Sequence, residues 1–215
     1  MVDRGQVYTL EGIVAALVVL AGVFFAIQAT TAVPQAAGAS GPHAEQHDRS
    51  LVASDLISAD DETVREAVLY WNTDSGDRGF RCTSGDTQYY TGAIDTSNCA
   101  STPPHADAIP PLAFGKSVAD TLGPGYTYNV ILAYNATGDG RETQRMVYQG
   151  EPGDGAVRAT TTVVLADGHN LTEADGDATG DPLEDLDSDA FYAGDMDTSS
   201  RFYNVVSVEV IAWRA

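Results

Sequence analysis

The residues of this 215-residue sequence with chemistry to offer are four histidines, two cysteines and 31 acids. Their spacing argues against most of that chemistry. His43-Ala-Glu45-Gln-His47 has its acid one place late for the zinc-binding HExxH pattern, and it lies in the linker marked by Pro34, Gly38, Gly41 and Pro42. Asp185-Leu-Asp187-Ser-Asp189 spaces carboxylates as a calcium loop does. An EF-hand would continue with Gly at 190 and Glu at 196, and the sequence has Ala190 and Met196. This leaves a solvated acidic loop, with cation binding of another kind as the alternative. No GxSxG elbow, Gly-rich phosphate loop or Walker motif occurs. The expectation is a protein that is no enzyme, with no catalytic residues, metal site or cofactor.

Two kinds of site remain. Cys82 and Cys99 are the only cysteines. In an exported chain such a pair reads as a disulfide, which for a loop of this size is worth about 3 kcal/mol in the chain-entropy model. The other reading is two free buried thiols. Asn135-Ala-Thr137 and Asn170-Leu-Thr172 are N-glycosylation sequons. The first falls where two strands should turn, and the second follows a strand at Gly168-His169.

The charge bears on partners. The chain carries 22 Asp and a single Lys, Lys116, for a net charge of −20. Such a surface repels phosphate, which argues against nucleic acid, and it is unsuited to anionic headgroups. Disorder is one reading of so much like charge. Adaptation to molar salt is the other: repulsion is then screened within about 3 Å, and carboxylates keep a folded surface hydrated. A hydrophobic content of 43% with ten Tyr and two Trp supplies a core and favours the second.

The elements that must position these residues read as α+β. Leu51–Ile57 and Val64–Tyr70 show helical spacing, with Asp60 and Asp61 placed to cap the second run. Residues 72–111 are rich in Gly, Ser, Thr and Pro and should be irregular, tied by the cysteines. Leu112–Leu122 reads as a helix stopped by Gly123-Pro124-Gly125. From there the period is two. Tyr126–Tyr134, Arg145–Gln149, Val157–Leu165 and Tyr203–Trp213 read as strands. Short connections between the first three predict an antiparallel meander, so the sheet should have about four strands. The stretch 170–200 is an acidic insertion before the last strand.

The N-terminus begins Met-Val-Asp-Arg4-Gly5-Gln6-Val-Tyr-Thr9-Leu10-Glu11-Gly12, and Ile13–Ile27 then runs without a strongly polar residue. As a helix, 12–33 would be about 33 Å long, enough for a hydrocarbon core of roughly 30 Å. An ordinary secretory signal is the rival reading. It would put a small-residue cleavage site after the apolar run, whereas Arg4-Gly5 lies before it, and Glu11 stands at the edge of the run. The lone Arg4 favours an inside N-terminus and an outside C-terminal part.

Arg4-Gly5, a few uncharged residues, Thr9-Leu10-Glu11 and an apolar helix together resemble the class III signal of type IV pilins. The pilin-like exported proteins of halophilic archaea are the nearest likeness. Val147-Tyr-Gln-Gly-Glu151 and the Trp213-Arg-Ala end resemble them too. The resemblance implies cutting by a prepilin peptidase between Gly5 and Gln6, with the apolar helix retained and packed against other pilin-like subunits in a filament core. The acid is the fifth residue after the cut in bacterial pilins, whereas Glu11 is the sixth here. A carboxylate at the membrane edge costs a few kcal/mol and tends to be kept for a partner. The Gln6 amine of a neighbouring subunit would fix axial register, although a solvated acid at a helix N-terminus is the simpler role.

The expected organisation is therefore a leader over 1–5, a transmembrane and filament-core helix over 6–33, a linker over 34–48 and an extracellular acidic α+β domain over 49–215. The expected function is a pilin-like structural subunit of a surface filament used in adhesion, with the long acidic head better suited to a minor or tip subunit than to an abundant one. The alternative is a single-pass surface protein that never polymerises.

Overall fold

The computed structural model describes residues 60–83, 87–136 and 140–214. The leader, the apolar segment, the linker and the run over 51–57 lie outside the described residues, as do Gly5, Gln6 and Glu11. No helix among the described residues is long and apolar enough to cross a membrane.

The described chain is α+β, with two α-helices and a four-stranded antiparallel sheet. Helix α1 spans Asp61–Val68, with Asp61 and Glu62 in its first turn, where negative charge suits the helix dipole. Asp60 occupies the cap position as expected but makes no side-chain capping bond. The helix also ends earlier than its apolar spacing predicts. Leu69 closes it, and Trp71–Asn72 (β1) pairs with Gly79–Phe80 (β2). Helix α2 spans Ala113–Leu122 and stops at Gly123, whose φ of 70° suits a glycine. It lies hard against the Ile109–Pro110 backbone. A Cβ on Gly115 would sit 2.0 Å from the Pro110 carbonyl oxygen, so only glycine permits that approach.

The large sheet contains β3 (Tyr126–Ala136), β4 (Gly140–Val147), β5 (Val157–Ala166) and β8 (Phe202–Arg214). Its order is β4-β3-β8-β5, which overturns the expected meander. Only β3 and β4 form a hairpin; β5 pairs with β8 from Val157↔Ala212 to Ala166↔Phe202. Burial explains the order. β8 buries Val206, Val208 and Val210, and also Ile211 and Trp213, so it needs a strand on each side. β4 is exposed or half-buried until Met146 and suits an edge. It begins at Gly140 rather than Arg145. Arg141–Gln144 has no apolar alternation, and the ladder to β3 alone makes it a strand.

The inner face of the sheet packs on α1, α2 and the 71–90 segment in one core that includes Val68, Trp71, Phe80, Phe114, Leu132 and Val206. The 167–201 insertion belongs to the same core, which corrects the expectation of a solvated loop. It contains the paired strands β6 (Asn170–Thr172) and β7 (Ala178–Pro182). It also buries Leu171, Leu183 and Phe191, while Asp181, Glu184, Asp185 and Asp187 stay exposed.

Candidate functional site

Cys82 and Cys99 form a disulfide. Cys82 is buried in the left-handed region at φ 62°, a conformation that costs a non-glycine residue on the order of 1 kcal/mol. The cross-link and the surrounding core hold it there. Tyr70 lies under the bridge, with its hydroxyl 3.4 Å from the Cys82 sulfur and donating to the Ala174 carbonyl at 3.1 Å. Burial pushes its phenol well above the ordinary range. A cleft of about 310 Å³ opens beside the bridge, lined in part by Arg81, Thr83 and Ser97. Arg81 is tied to Glu173 at 3.2 Å.

The two sequons differ. Asn135 is exposed near the end of β3, opposite Arg141, as the turn position predicts. Its backbone N–H donates to Asn204 Oδ1 at 3.2 Å, and its carbonyl accepts from Asn204 Nδ2 at 2.9 Å. The backbone is fixed while the side chain faces outward. Asn170 is half-buried, and its amide donates to the Thr179 carbonyl. Its sequon partner Thr172 is 4% exposed and donates to the Glu66 carbonyl at 3.1 Å. In the folded chain Asn135 is exposed, whereas Asn170 and Thr172 are engaged in hydrogen bonds.

The acidic triplet is only partly free. Asp189 accepts from Arg78 Nη1 at 2.8 Å, and that bond holds its carboxyl below the ordinary range. Among the described residues no group of three or more His, Cys, Asp or Glu is placed to hold a metal ion. His169 Nδ1 accepts from the Ala166 N–H at 3.2 Å. Burial, and then the Arg65 charge, lower its pKa below the ordinary imidazole value.

Sequence reasoning missed the outer face of the sheet, because it assigned strands without placing them side by side. The register lines up Arg145, Ile131, Glu209 and Thr160 in one row, and Thr143, Ala133, Ser207 and Thr162 in the next. Arg158 lies on the same face and pairs with Glu209 at 2.9 Å. Val164, 57% exposed, stands beyond it. One end of this side is closed. Asn129 binds the Gln149 N–H and the Gly150 carbonyl, and Gly153 approaches the Trp213 ring. Glu151, at that margin, accepts from Tyr148. The rest is flat, rich in hydroxyls and half-exposed. Among the described residues it carries Arg141, Arg145 and Arg158 against the single acid Glu209. In a chain of net charge −20 that surface has the opposite sign.

The sequence matches the model of a family of unknown function, DUF7288, over residues 4–212. The chain belongs to that family. No curated protein and no solved structure matches it. The DUF7288 match begins at Arg4 and so includes the apolar segment as well as the described domain.

Proposed function

We propose that this protein is a pilin-like structural subunit of a type IV pilus-like surface filament, with a class III leader and an extracellular head used in adhesion. A prepilin peptidase cuts between Gly5 and Gln6. The helix over 6–33 anchors the chain in the cell membrane and packs against other pilin-like subunits, with Glu11 setting register. The acidic head belongs to a halophilic archaeon. The observation that carries the reading is the N-terminal pattern of Arg4-Gly5, Thr9-Leu10-Glu11 and the apolar run Ile13–Ile27. Arg4-Gly5, Glu11 and the apolar run fall within one family unit with the head. The disulfide fits an oxidising exterior, and the exposed Asn135 fits a glycosylated surface protein.

Mass spectrometry of the mature protein, with electron microscopy of shed filaments, tests this. The expected chain starts at Gln6 and retains Ile13–Ile27. A chain starting after residue 30 marks an ordinary secretory signal and ends the reading. Gly22→Leu raises hydrophobicity but fills a point of close helix approach. It should leave insertion intact and impair incorporation into filaments, as should Glu11→Gln. Normal filament yield from both variants would indicate a simple tether.

A further inference from the structure

The two broad sides of the head carry opposite charge. On one, Arg141, Arg145 and Arg158 stand on the open sheet face, with Glu209 the only acid there among the described residues. On the other, the insertion covers the inner face, because Leu183 and Phe191 belong to the core beneath it. Asp181, Glu184, Asp185 and Asp187 are exposed there, and none of them takes part in an ion pair among the described residues. From Arg158 to Arg201 the chain has eleven acids and no intervening Lys or Arg.

We propose that the open sheet face receives the acidic insertion of a second copy of this chain, so that heads stack front to back. This rests on the subunit reading above and names the contact between heads. Charge complementarity selects the occupant, since the surface that matches the arginine face is carried by the same molecule. The geometry selects the outcome. The arginines stand on the outer face of the sheet and the insertion packs into the core on its inner face, so the contact joins unlike patches of two heads, is heterologous, and extends a row. Molar salt removes attraction beyond about 3 Å, so the arginines act by direct pairing with carboxylates. The threonine hydroxyls and Val164 fill the space between them, where a like-charged surface would be repelled.

A charge swap in the full chain tests this, in detergent micelles at about 2 M KCl, where repulsion between exposed acids is screened. Sedimentation against protein concentration reads self-association. Arg141→Glu with Arg145→Glu makes both patches acidic. Asp181→Arg with Glu184→Arg and Asp185→Arg makes both basic. Each should weaken self-association at least about tenfold, and an equimolar mixture should restore it by alternating the two. Thr160→Glu with Thr162→Glu leaves the arginines in place and replaces the first variant if its melting temperature falls. Wild-type association by either face variant overturns the contact, as does a mixture no tighter than its parts. So does a wild-type chain that binds anionic vesicles or polyglutamate but not itself. If the face variants keep wild-type association and filaments persist at normal yield, the stem assembles alone and this contact is wrong. If the swap works but the mature chain starts after residue 30, the contact stands and the filament reading falls.

Discussion

The large sheet and the insertion that covers it are ordered by different means. The sheet is periodic. β3 and β5 both pair along β8, and its inner valines repeat every second residue. Removing one side chain leaves the ladder in place. The insertion has almost no periodicity beyond the short β6–β7 pair. Single long-range contacts place it. Trp71 Nε1 donates to the Ala190 carbonyl at 2.9 Å, Tyr192 donates to the Val68 carbonyl at 3.0 Å, and Asn204 Nδ2 donates to the Gly194 carbonyl at 2.7 Å. Phe191 packs edge-on to Trp71, with ring centroids 6.4 Å apart. A segment with eleven acids can therefore be held if a few large anchors reach the core, but it depends on each of them.

The comparison breaks most completely at the sheet. Val208→Asp puts an unpaired charge at a 1% exposed site on the central strand, a cost above about 4 kcal/mol. Circular dichroism should show no cooperative transition. Phe191→Ala should cost about 3 to 4 kcal/mol, and its signature should be regional. Amides of 167–201 should exchange freely while those of β3 and β8 stay protected. Asn204→Ala leaves the Asn135 carbonyl and the Gly194 carbonyl without their partner. A loss of about 2 kcal/mol should appear in denaturant melts.

Alkali tests where the two regions meet. Tyr203 is pushed up to about 12 by burial, then by Asp195 and Asp167 of the insertion. Its folded pKa lies above its unfolded value. The stabilisation is therefore complete below pH 10 and is lost as pH rises through about 12. Tyr203→Phe should remove on the order of 2 kcal/mol of that loss, read as a flatter melting temperature between those pH values. The smallest effect expected is from salt. Falling from molar to about 0.1 M should raise exchange across the insertion severalfold before it touches the sheet, because the screening length grows to about 10 Å. Equal sensitivity of both regions would remove the distinction.

The same distinction decides what was legible in the sequence. Helix α2 and strands β3, β5 and β8 could be read because period and composition are local. Gly123 marks the end of α2 in the sequence as in the structure. Strand order could not be read, since the pairing of β5 with β8 depends on how much surface each must bury across some fifty residues. The insertion was misjudged because its acids dominate composition, while Leu171, Leu183 and Phe191 are too widely spaced to show a period. The disulfide and the exposure of Asn135 followed from cysteine arithmetic and turn chemistry. The engagement of the second sequon did not, because the Thr179 carbonyl that binds Asn170 and the Glu66 carbonyl that binds Thr172 are brought to them only by the fold.

The position of β8 has a consequence for how the chain acquires its shape. β8 follows every other strand of the sheet in the chain yet lies between β3 and β5. While residues 126–166 emerge, β3 has only the hairpin β4, and β5 has no strand beside it. The nucleus must therefore wait for a pairing of high sequence separation, which is slow and leaves β-rich edges exposed meanwhile. Vectorial delivery of the chain thus ends on its decisive step. A polypeptide cut short before Phe202 would lose the middle of its sheet, and a cell that degrades open sheets would clear it before it could join anything.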